Sequence, residues 1–246
     1  MSRLVAQYRT YQLLHASGWL MNKRRSFFIR MCGGAVSALA LWTGVAQAAT
    51  VHEVFNGDML GTSLRYFESV AGIPRMSHAD THTFRVQGCT INATVANQHI
   101  SALRLELGPQ CTPDLTTFIG DYGPGAEAPL TPGALGLSSG GSLKFAADCL
   151  TLCGNAMDPS VYALWDGPRA AGFLQIRLEV MLVDGAALDA ADAWERAMTA
   201  AAGEDYVLDT RFNCDTRFDE TATTLFRNVP VTAVTIGHDL NMPGCD

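Results

Sequence analysis

Three polar residues in one short segment have the types and spacing of metal ligands. His78, Asp80 and His82 alternate with Ala79 and Thr81, and alternate residues of an extended chain point to the same side. Imidazole and carboxylate groups that converge in this way bind divalent transition metals. The segment therefore predicts either a metal site in an exported protein or, since no further ligand is evident, a polar loop that leads into a strand.

A second segment matches the motif that surrounds a nucleophilic serine. Gly136, Ser138 and Gly140 give the pattern G-x-S-x-G, which hydrolases place on a strained turn between a strand and a helix. His238 and Asp239 are the residues that would serve as base and acid. The flanking sequence indicates neither a strand nor a helix, so the pattern favours a flexible loop, and a small exported hydrolase is an alternative function.

The N-terminal residues are arranged as in an export signal. Residues 1–20 are interpreted as an extension that is not translated, and residues 21–48 as a signal peptide with basic residues, an apolar run and a small-residue cleavage site that ends at Ala48. The pair Arg24-Arg25, followed by two apolar residues, resembles the twin-arginine export motif, with ordinary secretion as the alternative. Either route predicts a bacterial protein of the periplasm or the extracellular space.

Charge excludes two classes of partner. Residues 49–246 hold 11 of the 17 Lys and Arg and all 24 Asp and Glu, which gives a formal charge of −13. Nucleic-acid binding requires a basic stripe, and electrostatic docking on anionic lipid requires a basic segment. We therefore expect no nucleic-acid partner. We also expect no membrane span after signal cleavage and no cofactor.

Alternation of apolar and polar residues predicts a sheet with one buried face. Apolar residues occupy even positions up to Val86 and odd positions from Ile91 onward, and the change of phase at Gly88 indicates a bulge or a corner. With a turn at residues 97–99, Ile91 lies opposite Leu105. The polar face of this hairpin then points away from the core.

The second half of the chain repeats this pattern and adds a long helix. Residues 161–183 read as a second alternating hairpin, and Asp184 is expected to cap a helix at 186–202. The face of that helix that packs on the sheet is predicted to contain Leu188, Ala191, Trp194, Met198 and Ala201. A last strand at 229–236 is placed at an edge because it contains Pro230.

These elements predict an α+β fold, an antiparallel sheet of two hairpins packed against helices and braced by disulfides. Residues 49–246 form a single domain or, alternatively, two lobes at 49–111 and 143–246. The segment 112–142, rich in Gly, Pro and Ser, is interpreted as the linker between them.

The cysteines beyond the signal are even in number, which in an exported chain predicts three disulfides. They are Cys89, Cys111, Cys149, Cys153, Cys214 and Cys245. The hairpin register puts Cys89 beside Leu107, and a turn after it returns Cys111 to Cys89. Cys149 and Cys153 bond either to each other or to Cys214 and Cys245, and a metal pair is the competing interpretation of their spacing.

Residues 61–74 precede the first hairpin as a short helix that Thr62 or Ser63 caps and that ends at Gly72 before Pro74. This order, from residue 56 to 108, resembles the SmpA/OmlA outer-membrane assembly proteins and the related β-lactamase-inhibitor-protein fold. The resemblance implies a small sheet that serves as a binding surface without catalysis.

The function that these features favour is an exported, non-catalytic binding module for a protein or a cell-envelope component. Its docking surface is expected on the polar face shared by the two hairpins. The residues assigned to that face are Arg85, Thr90, Asn92, Thr94, Arg104, Glu106, Gln175, Arg177 and Glu179.

Overall fold

The structure is a computed structural model, and it describes residues 48–154, 158–169, 173–208 and 212–245. Its strands are β1 Met76–His78, β2 Thr81–Val86, β3 Cys89–Ala96, β4 His99–Glu106, β5 Leu143–Ala147, β6 Ser160–Asp166, β7 Gln175–Met181 and β8 Ala233–Gly237. Its α-helices are α1 Val51–Val54, α2 Leu64–Ala71, α3 Thr116–Ile119, α4 Pro132–Ser139, α5 Gly185–Ala202, α6 Asp205–Leu208 and α7 Asp219–Leu225. The predicted signal peptide lies outside the described residues except for Ala48.

All eight strands form one antiparallel sheet in the order β1-β2-β3-β4-β8-β7-β6-β5. The sheet is open, and its helices pack on one face, so the predicted α+β fold is confirmed. The sequence allowed two separate lobes, but the strands of both segments belong to this one sheet. They are joined through β8, which pairs with β4 on one side and β7 on the other. Ala46–Asp246 accordingly form one compact unit.

The change of phase at Gly88 has a different cause from the one predicted. Gln87 and Gly88 have φ values of 49° and 85°, which suit a two-residue hairpin turn, and Val86 pairs with Cys89 across it. The bulge or corner predicted at Gly88 is therefore wrong. The chain reverses there, and a two-residue turn moves the inward positions from even to odd numbers.

The predicted register of the next hairpin is confirmed, because Ile91 lies opposite Leu105. Its turn is shorter than predicted, since only Asn97 and Gln98 take positive φ. A shift of register after Thr94 adds one unpaired residue on β4. The short turn and this bulge together give the same pairing as the three-residue turn inferred from the sequence.

The last strand lies at the centre of the sheet, so its predicted edge position is wrong. Pro230 precedes β8, which starts at Ala233, and the missing N–H of the proline therefore removes no hydrogen bond from the sheet. Every residue of β8 is buried. A strand that is covered on both faces reads as a continuous apolar run rather than as an alternating one.

Two helices carry the aromatic core. Phe67 of α2 packs edge to face on Phe84 of β2 with 4.9 Å between ring centroids, and Ser63 caps that helix. Trp194 of α5 is fully buried. Asp184 caps α5 as predicted by accepting a hydrogen bond from the N–H of Ala187 at 2.9 Å.

The buried face of α5 is rotated slightly from the predicted one. Leu188 is 44% exposed and Ala201 is also exposed, so both were wrongly assigned to this face, whereas Ala187 and Ala190 are buried beside Ala191, Trp194 and Met198. An exposed leucine at one position of a helix is ordinary, and apolar spacing alone did not distinguish these two faces.

Side chains close the sheet edge formed by β5. Asn213 donates from Nδ2 to the carbonyl of Phe145 at 2.7 Å, and Asp219 accepts from the N–H of the same residue at 2.9 Å. These are groups that a further strand would bind, so the edge is satisfied at Phe145 without one. Burial raises the pKa of the Asp219 carboxyl above its ordinary value, against the opposing effect of hydrogen bonds from Phe145 and Asn213.

Three disulfides brace the unit, as predicted. Cys89 bonds to Cys111, the pairing inferred from the hairpin register. Cys149 bonds to Cys153 and Cys214 to Cys245, which decides the pairing that the sequence left open. The metal interpretation of Cys149 and Cys153 is wrong, because both sulfurs are used in a disulfide.

The segment interpreted as a linker is more ordered than its composition indicated. It contains α3, a 3-10 turn at Gly120–Tyr122 and α4. Thr131 caps α4 through a bond to the N–H of Ala134, Pro132 occupies its first turn, and Gly140 ends it with a φ of 65°. Among the described residues, no helix has both the length and the apolar character needed to cross a bilayer.

Candidate functional site: the polar face of the sheet

The strands place all nine predicted docking residues on the face of the sheet opposite the helices. Phe84, Ile91, Leu105 and Ile176 point into the core, and their neighbours along each strand therefore point outward. We call this outward surface the polar face. It comprises the predicted Arg85, Thr90, Asn92, Thr94, Arg104, Glu106, Gln175, Arg177 and Glu179, together with outward residues of β5, β6 and β8.

Side chains at the centre of the polar face are short, because β8 presents small residues there. Thr235 lies between Arg104 of β4 and Arg177 of β7 in register. Gly237 comes so close to β4 that a Cβ atom there would lie 2.5 Å from the Ser101 carbonyl oxygen. Long side chains from β4 and β7 therefore border a shallow depression over β8.

An ion pair spans this depression. Arg104 donates from Nε and Nη2 to Oε2 of Glu179 at 3.1 and 2.9 Å, and its Nη1 lies 3.2 Å from Oε1 of Glu106. The side chains of Arg104 and Glu179 are only 23% and 13% exposed. Such charge-assisted bonds are among the stronger ones in proteins, so this pair fixes the positions of both side chains.

A second cluster continues the network toward β6. The guanidinium of Arg177 lies 5.5 Å from the centre of the Tyr162 ring, and the Tyr162 hydroxyl donates to Asp148 at 3.0 Å. Burial, followed by the charges of Asp148 and Glu179, raises the pKa of Tyr162 far above its ordinary value. The phenol therefore stays protonated and acts as a donor.

The outer end of the face is held by a third group of polar residues. Asp166 accepts hydrogen bonds from Lys144 at 2.5 Å and from Gln175 at 2.6 Å. Burial raises the pKa of Asp166, but these bonds and the Lys144 charge outweigh it, so the pKa lies below its ordinary value. Asp166 is consequently ionised at neutral pH.

The C-terminal segment crosses this end of the face. Arg177 donates to the carbonyl of Asn241 at 2.5 Å, and Gln175 accepts from the N–H of Leu240 at 2.6 Å. Cys245 then fastens the segment to Cys214. The segment orients Arg177 and Gln175 and leaves the Arg85 and Glu106 side of the face exposed.

The polar face contains charged groups of both signs and a phenol that donates a hydrogen bond. Its cations and anions neutralise one another, and the protonated Tyr162 is a donor. A nucleophile needs an adjacent base that is in turn oriented by a third group. The described hydrogen bonds of the polar face contain no such series.

The structure does not bring the predicted metal ligands together. Residues 79–80 form the turn between β1 and β2, and His78 pairs with Thr81 while Ser77 pairs with His82. His78 and His82 therefore lie on opposite faces of a hairpin, and the extended geometry assumed for a metal site with Asp80 is wrong. Within the described part of the chain, no three His, Cys, Asp or Glu residues are grouped closely enough to hold a metal ion.

Ser138 lies in a helix and not on a nucleophile turn. It is exposed near the C-terminal end of α4, and its hydroxyl donates to the carbonyl of Ala134 at 3.0 Å. His238 follows β8, and its N–H bonds to the Ser101 carbonyl. The described hydrogen bonds do not link Ser138 to His238 or Asp239, so the geometry of the hydrolase motif is absent from these residues.

Sequence reasoning missed four members of the polar face: Lys144, Asp148, Tyr162 and Asp166. The available signal was the alternation in β6, where Tyr162 and Asp166 alternate with buried residues. Leu164 lies between them at an outward position and is also buried, which conceals the polar face of that strand.

Comparison with known proteins identifies no relative of this chain. No family model matches this chain, and neither a curated protein nor a solved structure is significantly similar to it.

Proposed function

We propose that this protein is an exported, non-catalytic binding module that docks a protein or a cell-envelope component on the polar face. The observation that carries the proposal is the network around Arg104, Glu179, Arg177 and Tyr162. Its side chains are fixed by one another before any partner arrives. A surface that is already ordered loses little conformational freedom on binding, so more of its interaction energy becomes affinity.

The polar face also has the composition of a docking surface. Arginine and tyrosine are enriched at interfaces between proteins, and both are central here. Arg85 and Glu106 are exposed and supply one charge of each sign at the open side of the face. Charges at a rim of this kind steer a partner and fix its orientation.

Disulfides support export. Three of them in a domain of this size are typical of proteins that fold in an oxidising compartment. With the signal-like segment at residues 21–48, this favours the bacterial periplasm or the extracellular space, reached through the twin-arginine or the ordinary secretory route. Ala49 packs against the core, so cleavage after Ala48 would remove none of the described core.

The resemblance of residues 56–108 to the SmpA/OmlA and β-lactamase-inhibitor-protein folds supports the same proposal. In this chain α2 precedes the β2–β3–β4 hairpins, the order on which the resemblance rests. It favours a sheet used for binding and a partner in the cell envelope.

Charge exchange on the open side of the face tests docking. The partner is first captured by cross-linking in an envelope extract and identified, and its affinity is then measured by surface plasmon resonance. The double variant Arg85→Glu/Glu106→Lys keeps the net charge and reverses the pattern, and we expect about tenfold weaker binding, mainly through a slower association rate.

The matched control is Asp192→Lys/Arg196→Glu, which exchanges the same charges on the exposed side of α5. Retention of full affinity by this control is part of the expected result. Equal affinities for the wild type and the Arg85→Glu/Glu106→Lys variant would show that the partner binds elsewhere, and turnover of a substrate by the purified protein would contradict a non-catalytic role.

Processing tests the proposed location. We expect the N-terminal residue of the exported protein to be Ala49, because small residues at 46 and 48 fit a signal-peptidase site. N-terminal sequencing checks this, and a chain that retains residue 21 would contradict it. Replacement of Arg24 and Arg25 by lysine is expected to block export on the twin-arginine route, and normal export of that variant would indicate ordinary secretion.

A further inference from the structure

A cavity of about 480 Å³ lies where the ends of β4 and β8 meet the segment before α4. Three short stretches form its walls, residues 107–113, 126–130 and 230–232, and Asp184 lies at its margin. Its volume is within the range of pockets that hold small organic molecules. None of the polar-face residues defined above lines it.

The walls of this cavity are rigid. The Cys89–Cys111 disulfide holds the first stretch, in which Gly108 and Cys111 also exchange backbone hydrogen bonds at 3.3 and 3.0 Å. The second and third stretches are joined by a bond from the Val231 N–H to the Leu130 carbonyl at 3.1 Å. Each stretch contains proline, which fixes φ and limits movement of the backbone. The cavity is therefore preformed.

The lining combines apolar walls with negative charge. Leu107, Pro109, Leu130 and Val231 supply much of the apolar surface, and Glu127 and Asp184 are the charged side chains. Among the described residues that line the cavity, none is Lys, Arg or His. Asp184 uses one carboxylate oxygen to cap α5.

We infer that this cavity binds a small organic cation with an apolar body, such as an aryl-alkyl ammonium ion. The body would occupy the proline and leucine walls, and the ammonium group would lie toward Glu127 and Asp184. A neutral molecule of the same shape gains only the apolar contacts. An anion meets two carboxylates and a domain whose formal charge is −13. The inference is independent of docking on the polar face.

The test uses three probes of one shape, naphthylmethylammonium, naphthylmethanol and naphthoate, titrated into the ¹⁵N-labelled protein. We expect the ammonium probe to shift the amide signals of Leu107, Cys111, Ala128 and Val231 and to saturate. Each exposed carboxylate of the protein is expected to favour the cation by up to about fivefold in affinity, so naphthylmethanol should bind more weakly and naphthoate most weakly.

Two charge-removing substitutions locate the effect. Glu127→Gln/Asp184→Asn should bring the affinity for the ammonium probe down to that for the alcohol, because asparagine still caps the helix but carries no charge. Glu204→Gln/Asp239→Asn removes the same charge outside the cavity lining and should keep the preference. The inference would be overturned if the three probes bound equally, if none bound saturably, or if amide signals shifted only at other residues. It would also be overturned if both variants lost the preference for the ammonium probe to the same extent.

Discussion

Loss of the Cys214–Cys245 disulfide is expected to lower the free energy of unfolding by about 4 kcal/mol. The two cysteines are 31 residues apart in sequence, and a cross-link that closes a longer loop removes more conformational entropy from the unfolded chain. The same relation gives about 3 kcal/mol for Cys89–Cys111, at a separation of 22, and about 2 kcal/mol for Cys149–Cys153, at a separation of 4.

The measurement is urea unfolding of paired serine variants without reductant, extrapolated linearly to water. Cys149→Ser/Cys153→Ser is the matched control, since it removes the same chemical bond from the shortest loop. A larger loss in this control than in Cys214→Ser/Cys245→Ser would contradict the loop-length argument.

The Cys214–Cys245 bond also has a consequence for the polar face. It fastens the C-terminal segment, whose Asn241 carbonyl accepts a hydrogen bond from Arg177 and whose Leu240 N–H donates one to Gln175. Without the bond, the amide signals of residues 238–245 should lose hydrogen-exchange protection while those of β8 keep it. The disulfide therefore contributes to the order of the candidate docking surface as well as to stability.

Replacement of Asn213 by glycine is expected to cost about 4 kcal/mol. Asn213 is 2% exposed. Its amide group donates to the Phe145 carbonyl and to Asp219 and accepts from the Phe218 N–H at 2.6 Å. Removal leaves buried backbone groups of Phe145 and Phe218 without these partners, and each such group costs about 1–3 kcal/mol. Glycine is chosen because Asn213 has a φ of 57°, which other side chains adopt only with strain.

The matched control is Asn97→Gly, which makes the same change at a φ of 50° in an exposed turn. Its expected effect is within about 0.5 kcal/mol, as for most surface substitutions. Thermal and urea unfolding measure both variants. Similar stabilities for the two variants would mean that Asn213 does not hold the β5 edge in the way its hydrogen bonds indicate.

The edge that Asn213 closes bears on solubility as well as stability. Without Asn213 the β5 edge would present the C=O of Phe145 to another chain, while its N–H stays bonded to Asp219, and unpaired edge groups promote sheet-to-sheet association. The same variant is thus expected to associate more readily at high concentration, which light scattering would detect. A structural asparagine of this kind is not recognisable from its place in the sequence.

Local features of this protein could be predicted from the sequence because their causes are local. Alternation in residues 91–107 gave the pairing of Ile91 with Leu105, since only one register buries both apolar sets. That register placed Cys89 near Cys111. The cap at Asp184 and the helix it begins follow from the sequence because the cap and its partner are three residues apart.

Only the tertiary structure decided which strands are neighbours. Periodicity indicates which side chains of a strand face the core, but it does not identify the neighbouring strands. The edge position inferred for β8 from Pro230 was therefore wrong. The pairing of β4 and β7 with β8 brings Arg104 to Glu179 across 75 residues of sequence. No local pattern encodes that contact, because it depends on the small residues of a third strand lying between the two side chains.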